Sequence, residues 1–231
     1  MKTIVKLLPF LLMTASLQAK ESVVLLHGLS RTSASMKKIE KALTQEGYVV
    51  HNINYPSRSG TIEALAAEIR SRILKLTSDD TKVHFVTHSM GGIIVRQIQK
   101  AEPIENIGRA VMLSPPNHGS EVVDKLDEIW LLNKFKVPAR SQLGTKAGGF
   151  VKSLGPVDFE VGVLTGDRSI NWILSTMIPG KDDGKVSLES AKVEGMKDYK
   201  VIHASHPFIM RKKGAIKETI SFLKTGSFLD H

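Results

Sequence analysis

The sequence contains no cysteine among its 231 residues. This absence excludes disulfide bonds, thiolate metal ligands, a cysteine nucleophile and lipid attachment to an N-terminal cysteine. The sequence also lacks a zinc-binding motif, a glycine-rich phosphate loop and a dinucleotide-binding fingerprint. It shows no internal repeat and no low-complexity segment. We therefore expect a site that works without a metal ion or an organic cofactor.

The remaining composition is that of an ordinary globular protein, with 42% apolar and 24% charged residues. A chain of this length is sufficient for one domain with a sizeable core, which we place at residues 20–231. The net charge is +9, but the lysines are scattered and do not alternate with aromatic residues. This pattern predicts a solvated surface that could attract anionic lipids weakly, and it argues against nucleic-acid binding. It gives no indication of an oligomeric state.

The N-terminus has the pattern of a secretory signal peptide. Residues 1–6 carry two lysines, the apolar stretch 7–17 is too short to span a bilayer comfortably, and Ala19 supplies a small residue for cleavage. We predict a signal peptide at residues 1–19 and export to the periplasm or the medium; the alternative is an uncleaved N-terminal anchor. Cleavage would remove two lysines and no acid, which would lower the net charge from +9 to +7.

Apolar runs that are typical of buried strands alternate with segments of helical periodicity. This alternation predicts the α/β class, with a mostly parallel sheet covered by helices on both faces and with short helical insertions. The predicted strands are 22–26, 48–54, 82–87, 109–113, 159–165 and 199–204, and the predicted helices are 34–46, 61–76, 90–100 and 208–223. The regular alternation is interrupted by an insertion at 119–157, with a short helical pattern around 124–134, and by an apolar insertion at 170–178.

The third predicted strand ends in a tight turn with Ser89 at its apex, and a helix follows at once. Such a turn strains its central residue and needs small neighbours two positions away, a requirement that Gly91 meets. The pattern is that of a nucleophile elbow, G-x-S-x-G, with Thr87 in place of the first glycine. The alternative is that Ser89 only caps the following helix, since serine is a favoured N-cap residue.

A serine nucleophile requires a base, and His206 is the preferred candidate. It follows the last predicted strand, as a triad histidine of this kind of fold should. We expect His203 to lie within that strand in a structural role, and His88, beside the serine, to point elsewhere.

The base in turn requires a carboxylate, for which the sequence offers three candidates. Asp167, Asp182 and Asp183 all follow the predicted strand 159–165. Asp167 could instead form a surface ion pair with Arg168, and Asp182 could be a solvated neighbour. The residues alone leave this choice open.

A reacting ester would also require two backbone N–H groups to bind the developing oxyanion. Met90, directly after the serine, should supply one of them. Leu29 should supply the other, because it lies in the loop after the first strand, where Gly28 lets the backbone approach closely. We expect His27 to fix this turn without a direct catalytic role.

These features together resemble the α/β-hydrolase superfamily, and within it the bacterial lipase and esterase branch. Residues 24–29 are similar to the oxyanion loop of that branch, 86–92 to its elbow and 116–120 to its Pro-His-x-Gly-Ser segment. Residues 183–187 are similar to its Asp-Gly-x-Val-Ser acid loop, in which the aspartate before the glycine is catalytic. The resemblance therefore favours Asp183, and His206 follows it by 23 residues, a spacing typical of the branch. Thr87 departs from the usual glycine or alanine and crowds the elbow slightly.

The resemblance implies a secreted serine esterase or lipase that uses Ser89, Asp183 and His206, with Leu29 and Met90 at the oxyanion hole, and no cofactor. Its substrate would be a small-molecule or lipid ester. A thioesterase, amidase or acyltransferase would use the same groups. The alternative from another class is a non-catalytic binding protein with the hydrolase fold, because fold alone does not fix function.

The two insertions contain the apolar residues with which an acyl pocket could be built. The candidates are Trp130 and Leu131 in the first insertion, and Trp172 and Met177 in the second. Ordinary packing of these side chains against the core is the alternative.

Overall fold

The structure is a computed structural model that describes residues 21–130, 137–146, 148–170, 175–176 and 178–229, with the backbone alone over 126–130. The predicted signal peptide lies outside these residues and stays a prediction.

A single sheet of six parallel strands organises the described chain, in the order β2-β1-β3-β4-β5-β6. The predicted α/β class is therefore confirmed. All six predicted strands are present, and their bounds are β1 Glu21–Leu26, β2 Val49–Ile53, β3 Lys82–His88, β4 Ile107–Leu113, β5 Val161–Gly166 and β6 Asp198–Ile202.

Helices cover both faces of this sheet. Their bounds are α1 Lys37–Gln45, α2 Ile62–Leu76, α3 Met90–Ala101, α4 Glu121–Trp130, α5 Pro138–Ser141, α6 Phe150–Ser153, α7 Leu188–Ala191 and α8 Lys213–Thr225, with 3₁₀ turns at Ser33–Met36 and Ile209–Arg211. Alternate residues of each strand enter opposite cores, because side chains alternate across a sheet. In β1, for example, Val24 packs in the core that contains α2 and α3, whereas Val23 packs in the core that contains α1 and α8.

Local sequence signals fix several helix ends. The Thr61 hydroxyl accepts a hydrogen bond of 3.3 Å from the Ala64 N–H and caps α2. Gly47 has a φ of 93° just after α1, a left-handed conformation that glycine adopts without steric cost. The sequence signals for the start of α2 and the end of α1 are therefore observed in the structure.

Three short helices, α5, α6 and α7, were not predicted. They have four residues each, which is too short to show a helical period in the sequence. The predicted last strand was too long, because β6 ends at Ile202 and no longer includes Ala204. Beyond the 3₁₀ turn, α8 begins five residues later than the predicted start at Phe208.

The topology places the candidate residues at one edge of the sheet. β1 lies between β2 and β3. The chain therefore runs from β1 to β2 on one side and then crosses to β3 on the other side, and a crevice forms at this reversal outside the carboxyl ends of the strands. The loops after β1, β3, β5 and β6 all open there. No helix in the described part of the chain has the length and apolar character needed to cross a bilayer.

Candidate active site

Ser89 has the strained backbone that the elbow predicts, with φ 52° and ψ −123°. It stands at the N-cap position of α3, but its side chain makes no capping hydrogen bond, so the alternative of a simple helix cap is wrong. A Cβ on Gly91 would lie 2.6 Å from the Leu26 carbonyl oxygen. Only glycine therefore allows α3 to approach β1 so closely.

Thr87 fits the elbow because Gly92 lies opposite it. A Cβ added at Gly92 would lie 3.3 Å from the Thr87 Oγ1, a distance that leaves little space for a larger residue. The Thr87 hydroxyl is fully buried and has no hydrogen-bond partner among the described residues. The family pattern has a small residue two positions before the serine. In this chain the larger Thr87 fits at that position because Gly92, three positions after the serine, has no side chain.

The structure brings Ser89, His206 and Asp183 into one hydrogen-bonded chain. The Ser89 Oγ lies 3.0 Å from His206 Nε2, and His206 Nδ1 lies 2.8 Å from Asp183 Oδ2. The other carboxylate oxygen of Asp183 accepts hydrogen bonds from the N–H groups of Lys185, at 3.0 Å, and Val186, at 2.9 Å. The backbone N–H of His206 also donates a hydrogen bond to the backbone carbonyl of Asp183, at 2.9 Å. The loop that carries Asp183 and the loop that carries His206 are thus fixed relative to Ser89.

Asp183 is ionised in this setting although it is fully buried. Burial alone would raise the pKa of its carboxyl, but the charge of His206, the hydrogen bond to it and the Val186 N–H outweigh that effect and hold the pKa below its usual value. A buried anion beside Nδ1 fixes the imidazole with Nε2 free to face Ser89.

The other candidate acids lie elsewhere. Asp182 is not a solvated neighbour, as the sequence suggested, but is buried and accepts hydrogen bonds from the Ser175 hydroxyl at 2.8 Å and the Gly184 N–H at 2.6 Å. It shapes the turn that carries Asp183.

Asp167 does not pair with Arg168. Its Oδ1 lies 3.0 Å from the Nδ1 of His203. His203 lies just beyond β6, not within it, and its side chain is 74% exposed.

Two backbone N–H groups near the serine have no hydrogen-bond partner in the described part of the chain. Neither the Leu29 N–H nor the Met90 N–H donates to another group of the described chain, and Met90 is the first residue of α3, where helical N–H groups have no internal acceptor. A Cβ on Gly28 would lie 3.1 Å from the Ser89 Cβ. The loop after β1 therefore reaches the serine only because residue 28 is glycine.

His27 holds that loop in place. Its Nδ1 donates to the Gly28 carbonyl at 2.9 Å, and its ring stacks on Tyr55 with a centroid separation of 4.1 Å. The Tyr55 hydroxyl donates to the His27 carbonyl. Burial lowers the pKa of His27, so the ring is neutral at neutral pH. This agrees with the expected structural role.

His88 does not point away from the site, contrary to the expectation from the sequence. Its Nε2 donates to the His206 carbonyl at 2.9 Å, and the two rings lie 4.9 Å apart. Burial, followed by the charge of His206, lowers its pKa well below the ordinary value. No local pattern indicates this contact, because it joins residues 118 positions apart.

This buried, neutral histidine should make the protein less stable in acid. Above pH 6.5 His88 is uncharged in the folded and in the unfolded protein. Below pH 6.5 the unfolded chain binds a proton at His88 that the folded chain excludes, so the free energy of unfolding decreases as the pH decreases. His88→Gln keeps a donor for the His206 carbonyl and does not titrate. We expect it to reduce the slope of unfolding free energy against pH, below pH 6.5, by up to about 1.4 kcal/mol per pH unit.

Urea denaturation at a series of pH values measures this slope. The groups whose charges lower the His88 pKa, His206, Arg31 and Lys185, remain in the variant. Comparison at about pH 8, where histidine is neutral in both states, separates the packing cost of the substitution from the titration. Equal slopes for both proteins would contradict the assignment of a neutral His88.

Arg96 is a buried residue that the sequence analysis missed. It lies on α3, and its guanidinium donates to the Asn117 carbonyl at 3.0 Å, the Asn117 side-chain oxygen at 3.1 Å and the Gly155 carbonyl at 2.6 Å. Burial lowers its pKa to about 10, so it stays charged at neutral pH. It fixes the segment after β4 that forms one wall of the site. An arginine inside the apolar run 93–98 was the available signal.

A cavity of about 200 Å³ opens beside Ser89 and His206. Apolar side chains cover part of its wall: Leu29, Pro116, Val123, Leu143 and Val186. Of the residues expected to form an acyl pocket, Leu131, Trp172 and Met177 lie outside the described residues, as does the side chain of Trp130, so these stay predictions. No group of histidine and carboxylate side chains suited to a metal ion occurs in the described ranges.

A parallel sheet with a strained serine after its third strand, and with an acid and a histidine after later strands, defines the α/β-hydrolase class. The chain belongs to the alpha/beta hydrolase family, because the model of that family matches residues 23–185. No curated protein sequence matches the chain.

Solved structures of lipases and esterases share the fold. The mature form of the Bacillus licheniformis lipase BlEst2 has a TM-score of 0.72 and 21% identity, over 91% of this chain and 93% of that one. The metagenomic carboxyl esterase MGS0156 has a TM-score of 0.68 and 17% identity, over 92% and 72%. The Legionella pneumophila phospholipase PlaB has a TM-score of 0.62 and 19% identity, over 75% and 45%. At these identities the likeness shows the fold alone.

Proposed function

We propose that this protein is a serine hydrolase that cleaves carboxylic esters through an acyl-enzyme. The observation that carries the proposal is the hydrogen-bonded chain from the Ser89 hydroxyl through His206 to the buried Asp183 carboxylate. A serine hydroxyl is a weak nucleophile, and such a chain is the arrangement that activates it.

In this mechanism His206 Nε2 takes the hydroxyl proton as Ser89 Oγ attacks the ester carbonyl. Asp183 keeps Nδ1 protonated and stabilises the imidazolium that forms. The Leu29 and Met90 N–H groups bind the oxyanion, since both adjoin the serine and neither has a partner among the described residues. His206 then protonates the leaving alcohol, and water attacks the acyl-enzyme in a second cycle of the same steps.

The names of the structural neighbours support ester substrates, as they include lipases, a carboxyl esterase and a phospholipase. The apolar part of the cavity wall suits an acyl chain. Residues 1–19 support the further proposal that the protein is exported to the periplasm or the medium.

A substrate panel tests the reaction class. Purified protein is assayed on an ester, a thioester and an amide that share one short acyl chain. We expect turnover of the ester and much slower turnover of the amide, whose amine is the poorer leaving group. The Ser89→Ala variant is the control for contaminating activity. Turnover of the thioester alone or of the amide alone would show that the proposed substrate class, carboxylic esters, is wrong. If folded protein turns over none of the three compounds, the result favours a non-catalytic binding protein.

A further inference from the structure

The cavity beside Ser89 is lined by several positively charged residues. Its wall includes the cationic side chains of Arg31, Arg140 and Lys185, and none of the described residues that line it is acidic. The Asp183 carboxylate, two residues before Lys185, is buried and already bonded to His206.

Two of these cations come from the loops that hold the reacting groups. Arg31 follows Leu29 by two residues, and its N–H donates to the Gly28 carbonyl at 3.2 Å. Lys185 follows Asp183 by two residues, and its carbonyl accepts a hydrogen bond of 2.7 Å from the Ser120 hydroxyl. Both backbones are thus fixed by hydrogen bonds close to the serine.

Neither of these two side chains is held in an ion pair, as several other cations of the described chain are. Within the described chain, neither Arg31 nor Lys185 forms an ion pair or a side-chain hydrogen bond. Elsewhere lysines and arginines pair with glutamates, as in Lys192–Glu189, Lys197–Glu160, Lys200–Glu218 and Arg109–Glu160. Unpaired like charges on one cavity wall repel each other, and an anion between them would relieve that repulsion.

We propose that Arg31 and Lys185 form an anion subsite next to Ser89, and that the preferred substrates are esters that carry a phosphate or carboxylate group near the scissile bond. The inference rests on the proposed ester hydrolysis and adds its substrate class. The guanidinium can bind such a group through two parallel hydrogen bonds, and the ammonium acts as a point charge. Partial loss of water contact, and then the Arg31 charge, lower the pKa of Lys185 even though the Asp183 charge opposes them, which is consistent with two cations held close together.

Matched pairs of esters test the subsite. The first pair is p-nitrophenyl pentanoate and mono-p-nitrophenyl glutarate, which places the charge on the acyl chain. The second is monobutyrin and butyryl glycerol phosphate, which places it on the alcohol, as in a phospholipid. We expect kcat/KM for the anionic member of at least one pair to exceed that for the neutral member by about tenfold. A preference in the first pair alone indicates small acidic acyl esters; in the second alone, phosphoglycerides.

The variants Arg31→Gln and Lys185→Gln should each lower this ratio several-fold, and the double variant should bring it close to unity. Added salt should lower the ratio for the wild-type protein, because it screens the attraction. Lys82→Gln is the matched control, since Lys82 begins the strand that ends before Ser89 and lies about 20 Å from it.

Equal kcat/KM values within both pairs, with turnover that depends on Ser89, would overturn the subsite and leave the proposed function standing. A ratio that both glutamine substitutions leave unchanged would also overturn it. Absence of turnover with all four esters would overturn the proposed function, and the subsite with it.

Discussion

Replacing Ser89 by alanine is expected to lower kcat/KM for a neutral short-chain ester by about a thousandfold or more. The substitution removes the atom that would form the acyl-enzyme. It should leave the fold intact, because the hydroxyl makes a single hydrogen bond within the residues that the structure describes, to His206, and does not cap α3. Alanine at φ 52° carries about the same backbone strain as serine, since both have a Cβ.

Ser30→Ala is the matched control for this measurement. Ser30 has a φ of 56°, close to that of Ser89, and its hydroxyl forms no hydrogen bond within the described chain. Steady-state kinetics and a thermal melt are measured for both variants. We expect Ser30→Ala to retain ester turnover. Turnover near the wild-type level by folded Ser89→Ala would refute the nucleophile assignment.

The substitution Asp183→Asn is expected to lower turnover by about a hundredfold or more. Asparagine keeps the shape of the side chain but removes the charge that stabilises the His206 imidazolium, and it can favour the wrong imidazole tautomer. Because His206 Nδ1 lies 2.8 Å from the carboxylate, both effects act directly on the base.

Asp182→Asn and Asp167→Asn supply the comparison. Asp182 accepts hydrogen bonds from the Ser175 hydroxyl and the Gly184 N–H, so its asparagine variant should mainly weaken the turn and reduce stability. Asp167 pairs with the exposed His203, and its substitution should cost little. Kinetics and urea denaturation of the three variants separate the effects. If either comparison variant loses more turnover than Asp183→Asn while remaining folded, the carboxylate assignment is wrong.

The features that the sequence predicted well are those encoded locally or by chain order. The apolar run of β3, the small residues of the elbow and the helical period of α3 are contiguous, so the strand, the strained Ser89 and the helix could all be expected. The parallel sheet then requires that the residues after β5 and β6 approach the serine, and the structure places Asp183 and His206 there.

The features that it missed depend on contacts between distant segments. The bond from His88 to the His206 carbonyl depends on how two loops meet, and neither loop carries a local signal for it. The burial of Asp182 depends on Ser175, which lies in an insertion without a regular pattern. The pairing of Asp167 with His203 follows from where β6 leaves the sheet, a boundary that strand propensity does not fix.

The mapping of a fluorophosphonate adduct tests the central claim most directly, because this probe phosphonylates serines that a neighbouring base activates. The protein is treated with the probe, digested with a protease and analysed by mass spectrometry. We expect one adduct, on Ser89, that appears as ester hydrolysis is lost and that fails to form in Ser89→Ala and His206→Ala. An adduct on another serine, or full hydrolysis by protein that carries no adduct at Ser89, would contradict the account.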